Sequence, residues 1–147
     1  MNIQRLDHLV LAVQDLDAGI ERWADVFGLP ADPVVRPEGT HMALAFLRPG
    51  GDPSLHSGQA AAAAFLELVQ PTTDDHRIAR HIAERGEGMF SISVQVDDLD
   101  AAVRHLRARG LEVSDPEPGV LPATRVARIP RATARGVALQ LIERRPA

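Results

Sequence analysis

A chain of 147 residues with 45% apolar composition can bury the core of one compact domain or of two small fused modules. Its net charge of -4 and isoelectric point near 5.8 speak against a nucleic-acid partner, and the lack of cysteine excludes disulfides, thiolate metal ligands and a cysteine nucleophile. No apolar run reaches the length of a membrane helix, and the first residues lack the basic-then-apolar layout of a signal peptide, so a cytoplasmic protein with no membrane partner is expected. All 16 basic residues are arginines.

Residues 5–13 alternate as a strand, with Leu9, Leu11 and Val13 on the face expected to pack under a helix and His8, Val10 and Ala12 on the other. Asp15 is placed to cap a helix whose Leu16, Ile20, Trp23, Ala24 and Phe27 recur at helical spacing, and Gly28 fits its C-terminal end. A short strand at residues 34–35 and a better one at 40–47 follow. Residues 49–58 read as a loop, and 63–70, ending before Pro71, as a strand.

Residues 72–85 suggest a linker helix capped by Thr73 and stopped by Gly86. The next strand is 88–96 and the next helix 98–109, with Leu99, Ala102, Val103 and Leu106 inward. A short strand at 111–113, a three-proline loop at 115–124, and strands at 125–129 and 137–143 complete the chain.

The first and second halves share a phrase. Val13, Asp15, Leu16, Asp17 and Ala18 recur as Val96, Asp98, Leu99, Asp100 and Ala101, and His8 is answered by Ser91. The repeat predicts two tandem βαβββ modules, residues 1–71 and 87–147, joined by a helix at 72–86. The expected fold is α+β: one curved mixed sheet around a cavity, with helices on the outer face. Each of His8, Glu67, Ser91 and Gln140 has apolar neighbours pointing the other way, so the four should line the concave face and meet each other, water or a ligand.

The stretch RHIAERGEGMFSISVQVDDLDAAVRHLRARGLEV and the closing PRATARGVALQLIE resemble the vicinal-oxygen-chelate (glyoxalase/bleomycin-resistance-like) superfamily, and within it the methylmalonyl-CoA epimerases. The resemblance covers nearly the whole chain apart from residues 49–58. It implies a metal held by the first and last strands of each module, which here gives His8, Glu67 and Gln140 as ligands, with Co, Ni, Zn or Mn as the divalent ion. Ser91 stands where the family has a histidine, and Gln140 where it has a carboxylate. The resemblance also implies proton abstraction beside a carbonyl, with Glu67 as base and Glu38 near the position of a second family glutamate, and a homodimer.

Gln140 cannot take a proton, so faithful methylmalonyl-CoA epimerase activity is not expected. Two functional classes stay open. One is an isomerase or lyase acting on a small carbonyl compound or acyl-CoA. The other is a metal-independent small-molecule binding or resistance protein of the same fold, in which His8 and Glu67 simply bond to each other. Phe90 and His41 are further candidates for the cavity wall, Phe90 making the wall beside Ser91 less polar. Glu38 also reads as a solvated loop carboxylate. His76, His81 and His105 are expected on exposed helix faces. Asp15, Asp17, Asp98 and Asp100 are explained by capping and by the helix dipole. Arg125, Arg128, Arg131 and Arg135 crowd the last strands, as a solvated edge or as partners for an anionic ligand.

Overall fold

The structure, a computed structural model, describes residues 1–48 and 64–145. The loop expected at residues 49–58, His56 within it, and the start of the strand expected at 63 lie outside the described residues. Seven strands and three helices are described: β1 (Ile3–Ala12), α1 (Leu16–Phe27), β2 (Met42–Leu47), β3 (Phe65–Pro71), α2 (Arg77–Arg85), β4 (Gly88–Val96), α3 (Leu99–Arg107), β5 (Glu117–Pro118), β6 (Thr124–Ile129) and β7 (Leu139–Arg144). None of the described helices is long and apolar enough to cross a membrane. The chain is α+β, and its strand pairing is mixed.

The described residues fall into two compact units, one of residues 8–90 and the other of residues 1–7 with 91–147. In the first, β3 pairs in parallel with β1 and antiparallel with β2, giving the order β2-β3-β1. Leu16 of α1 buries against Ala43, Ala45, Leu47 and Leu68, with Leu11, Val13, Ile20 and Trp23 around them. That sets the expected helix-facing side of β1 and leaves the even-numbered residues of the strand on the other face. The Asp15 carboxylate accepts from the Ala18 N–H at 3.0 Å, and Gly28, at φ 64°, closes the helix in the left-handed region where a side chain would be strained.

In the second unit β4 pairs in parallel with β7, and β6 lies antiparallel between β7 and β5. α3 packs Leu99, Ala102, Val103 and Leu106 onto Val96, Ala127, Ile129 and Leu141. Its Asp98 cap repeats that of Asp15, accepting from Ala101 N–H at 2.7 Å. The first residues of the chain belong here: Arg5 Nε donates to Gln95 at 2.8 Å, and Gln4 bonds to Asp97.

Four expectations need correction. The strand at 34–35 is only a single bridge, Val35 to Leu44. Residues 111–113 form no strand; pairing resumes at Glu117 and Pro118, while Gly119 approaches Thr124 so closely that a Cβ there would stand 2.1 Å from its Oγ1. The linker helix starts at Arg77 and is capped by His76, whose Nδ1 accepts the Ile78 N–H at 3.3 Å, so Thr73 is not the cap. Finally, His81 is buried rather than exposed, because it shares the inward face of α2 with Ile78, three residues before it, and meets Phe90 edge-on at 5.1 Å.

A histidine cap works only while Nδ1 is unprotonated. Burial first, then the Arg77 and His41 charges, lower the His76 pKa from its ordinary 6.5. A group whose folded pKa is lowered in this way and is neutral when folded contributes stability that is present above the unfolded value and lost as pH falls through the folded one. Thermal unfolding from about pH 7.5 down to about pH 5 should therefore show a loss in wild type that His76→Asn, a cap that does not titrate, lacks. The difference should stay below the ~1 kcal/mol of an ordinary cap, since solvent screens a half-buried site.

Candidate functional site

His8 and Glu67 come together in the first unit. β1 and β3 run parallel with His8 opposite Phe65 and Val10 opposite Glu67, so the face turned away from α1 carries His8 and Glu67 as diagonal neighbours. His8 Nε2 stands 3.1 Å from Glu67 Oε2. Both are buried, His8 at 2% exposure and Glu67 at 9%. A carboxylate and an imidazole in so little water stabilise each other by this bond and would each be costly alone.

Aromatic residues frame the pair. The Phe65 ring stacks on the His8 imidazole with centroids 4.9 Å apart and planes 19° from parallel. Phe46, directly opposite Glu67 on β2, meets Phe65 edge-on at 5.7 Å. The Arg48 guanidinium lies over both rings, 4.7 Å from Phe65 and 5.7 Å from Phe46, and Asp32 holds its Nε at 2.7 Å. Neither phenylalanine nor Arg48 stood out in the sequence. The signal was available in the alternation, since Phe65 is two residues before Glu67 and therefore shares its face.

The other candidates are placed as follows. Ser91 is buried in β4, in the second unit. Gln140 of β7 donates its amide to Ser93 Oγ at 3.2 Å, and Ser93, fully buried two residues from Ser91 on the same strand face, is a polar residue the sequence reading passed over. Phe90 points to the opposite strand face from Ser91 and packs on α2, under His81 and with the Arg77 guanidinium 5.0 Å from its ring centre. Glu38 is exposed in a turn where Thr40 bonds back to the Pro37 carbonyl.

His41 stands just ahead of the next strand, β2. It is exposed, has a left-handed backbone (φ 53°), and uses its carbonyl to accept the Thr72 N–H at 2.9 Å. It precedes β2 by one residue and stands five residues from Phe46, about 17 Å along the strand direction. It therefore lies at the far end of the strand from Glu67.

In the second unit Asp7, next to His8 in sequence, is buried at 2% exposure and takes both ends of the Arg144 guanidinium at 2.8 Å. That hydrogen bond raises the Arg144 pKa above its ordinary value against the opposing effect of burial. The crowd of arginines near the last strands is largely paired: Arg125 bonds Asp100 and Glu143, and Arg128 bonds Glu117.

The sequence matches the model of the Glyoxalase/Bleomycin resistance protein/Dioxygenase superfamily over residues 7–127. The chain belongs to that superfamily. Solved structures agree: a methylmalonyl-CoA epimerase from Mycobacterium tuberculosis superposes with a TM-score of 0.81 at 29% identity, covering 98% of this chain and 90% of that one. A variant of the Streptomyces coelicolor methylmalonyl-CoA epimerase, in complex with 2-nitronate-propionyl-CoA, gives 0.82 at 26% identity over 97% and 96% of the two chains. A methylmalonyl-CoA epimerase in complex with methylmalonyl-CoA and NH4+ gives the same values. No curated protein matches the sequence.

Superfamily members often bind divalent metals. Such an ion needs three or four donors of suitable type. Among the described residues no three or more histidine, aspartate or glutamate side chains gather in a group that could hold one. His8 and Glu67 are two good donors already bonded to each other, and Gln140 offers only a neutral amide. Among the described residues the donor set does not fit a resident metal.

Proposed function

We propose that the chain is an isomerase or lyase acting on an acyl-CoA or a small carbonyl compound, with Glu67 as the base and His8 as the residue that orients it. The observation that carries this reading is the buried 3.1 Å contact between Glu67 and His8 beside a wall of phenylalanine. The superfamily membership supports it, as do the acyl-CoA ligands of the epimerase structures. In the proposed step the Glu67 carboxylate takes the proton from the carbon beside the carbonyl. The C–H pair becomes the new C=C bond while the carbonyl π pair moves to the oxygen of the enolate, and Glu67 becomes a carboxylic acid. Delivery of a proton from solvent to the other face of the carbon, with Glu67 releasing its own proton to solvent, gives the isomer; expulsion of a neighbouring leaving group gives the lyase outcome. His8, donating to Oε2, fixes the carboxylate, and the apolar rings keep water from competing for the proton.

The test is deuterium uptake in heavy water at the α-carbon of methylmalonyl-CoA, propionyl-CoA and dihydroxyacetone, followed by NMR. Uptake by at least one compound is expected, and with only His8 and Glu67 as good donors at the site among the described residues it should persist at the same rate in excess EDTA. No uptake from any of the three would remove the reading. A second reading, a metal-independent binding protein, is favoured by the aromatic framing of the site; stabilisation by organic ligands without any proton exchange would select it.

A further inference from the structure

We infer that Arg48 is a specificity-determining residue, selecting acyl-CoA thioesters that carry a carboxylate on the acyl group; this rests on the proton-transfer reading of Glu67 and His8. The strand order β2-β3-β1 and the pairings Leu47 with Leu66 and His8 with Phe65, continued one residue beyond Leu47, set Arg48, Phe65 and His8 in a row across the sheet. Phe65 is the middle member. The guanidinium lies 4.7 Å from its ring centre and the imidazole 4.9 Å. Arg48 and His8 are thus two strand spacings apart, about 10 Å, and Glu67 is diagonal to Arg48 on the same face.

The guanidinium is held through its Nε. Its Nε bonds Asp32 at 2.7 Å, and Asp32 is itself fixed by its N–H to the Phe46 carbonyl at 2.8 Å beside the bridge of Ala31 to Leu47. The remaining N–H groups of Arg48 make no hydrogen bond to a described residue, and the side chain is 41% exposed. An exposed Arg–Asp pair adds little stability. A planar cation seated on two rings and 41% exposed is instead preorganised for a bidentate carboxylate.

Charge gives the second reason. A carboxylated substrate must bring its anion close to Glu67, itself a carboxylate when it acts as base, and a cation one strand away offsets that repulsion. The spacing favours an acyl carboxylate a few bonds from the reacting carbon over the distant phosphates of the coenzyme.

Calorimetric titration with methylmalonyl-CoA against propionyl-CoA, and succinyl-CoA against butyryl-CoA, isolates the carboxylate. Wild type should bind at least one carboxylated ester about tenfold more tightly than its uncharged partner. Arg48→Gln should abolish that preference by weakening the carboxylated ester alone, and Arg48→Lys, which keeps the charge without the fork, should restore part of it. Unchanged thermal unfolding and unchanged affinity for the uncharged esters show that the variants are folded. An undiminished preference in Arg48→Gln, no preference in wild type, or no binding of any ester overturns the inference. Failure of the proton-transfer reading shows separately, as deuterium uptake that Glu67→Gln leaves unaltered, because the titration reads binding without turnover.

Discussion

Glu67→Gln is expected to slow α-deuterium uptake by two to four orders of magnitude, roughly 10²- to 10⁴-fold, the usual contribution of a positioned general base. The amide keeps the size of the carboxylate and can still accept a bond from His8 Nε2, which stands 3.1 Å from the carboxylate oxygen, so the site should stay assembled. Ligand affinity should change far less than rate, because the lost interaction is one made in the transition state. His8→Ala should slow uptake less than Glu67→Gln, since it leaves the base in place but removes what orients it. Uptake by Glu67→Gln within about threefold of wild type, against that expected loss, would show that the proton is removed elsewhere.

The second large effect is on stability. Arg144→Met leaves the Asp7 carboxylate, 2% exposed, without its two-point partner, and the nearest Arg5 nitrogen, at 3.7 Å, is too far for a good hydrogen bond. Removing one half of a buried ion pair costs about 3–5 kcal/mol; with the Arg144 side chain 30% exposed, water can enter, and the lower end of about 3 kcal/mol is expected. That corresponds to a fall of roughly 10 °C in Tm. The double variant Asp7→Leu/Arg144→Met should recover part of the loss, because it no longer buries a charge that has lost its two-point partner. A single-variant loss below about 1 kcal/mol would put the pair in the class of surface ion pairs.

Much of the fold could be read from residue order. The two Asp caps, Asp15 and Asp98, and the alternation at residues 5–13 need only local chemistry, and each is found where the repeat put it. The pairing of His8 with Glu67 was legible for the same reason, since polar residues at matched strand positions flanked by apolar ones must share a face. What failed depended on partners distant in sequence. His76 displaces Thr73 as cap, although histidine is a poor prior choice for the role, because the helix begins later than its composition suggests. His81 looked solvated among arginines, yet α2 lays it on Phe90. Glu38 was drawn towards the site by a loose likeness and His41 by its place in an expected strand; both are exposed, Glu38 in a turn and His41 one residue ahead of β2. Arg48 was invisible because nothing local distinguishes an arginine at a strand end from one stacked on two rings.

Residues 1–7 pack with residues 91–147 rather than with the stretch that follows them. During synthesis the segment 8–90 can collapse on its own as it emerges, while the unit that holds the leading seven residues resumes only at Ser91. Closure of that unit is thus a long-loop event, slow relative to the local pairings of β6 with β7.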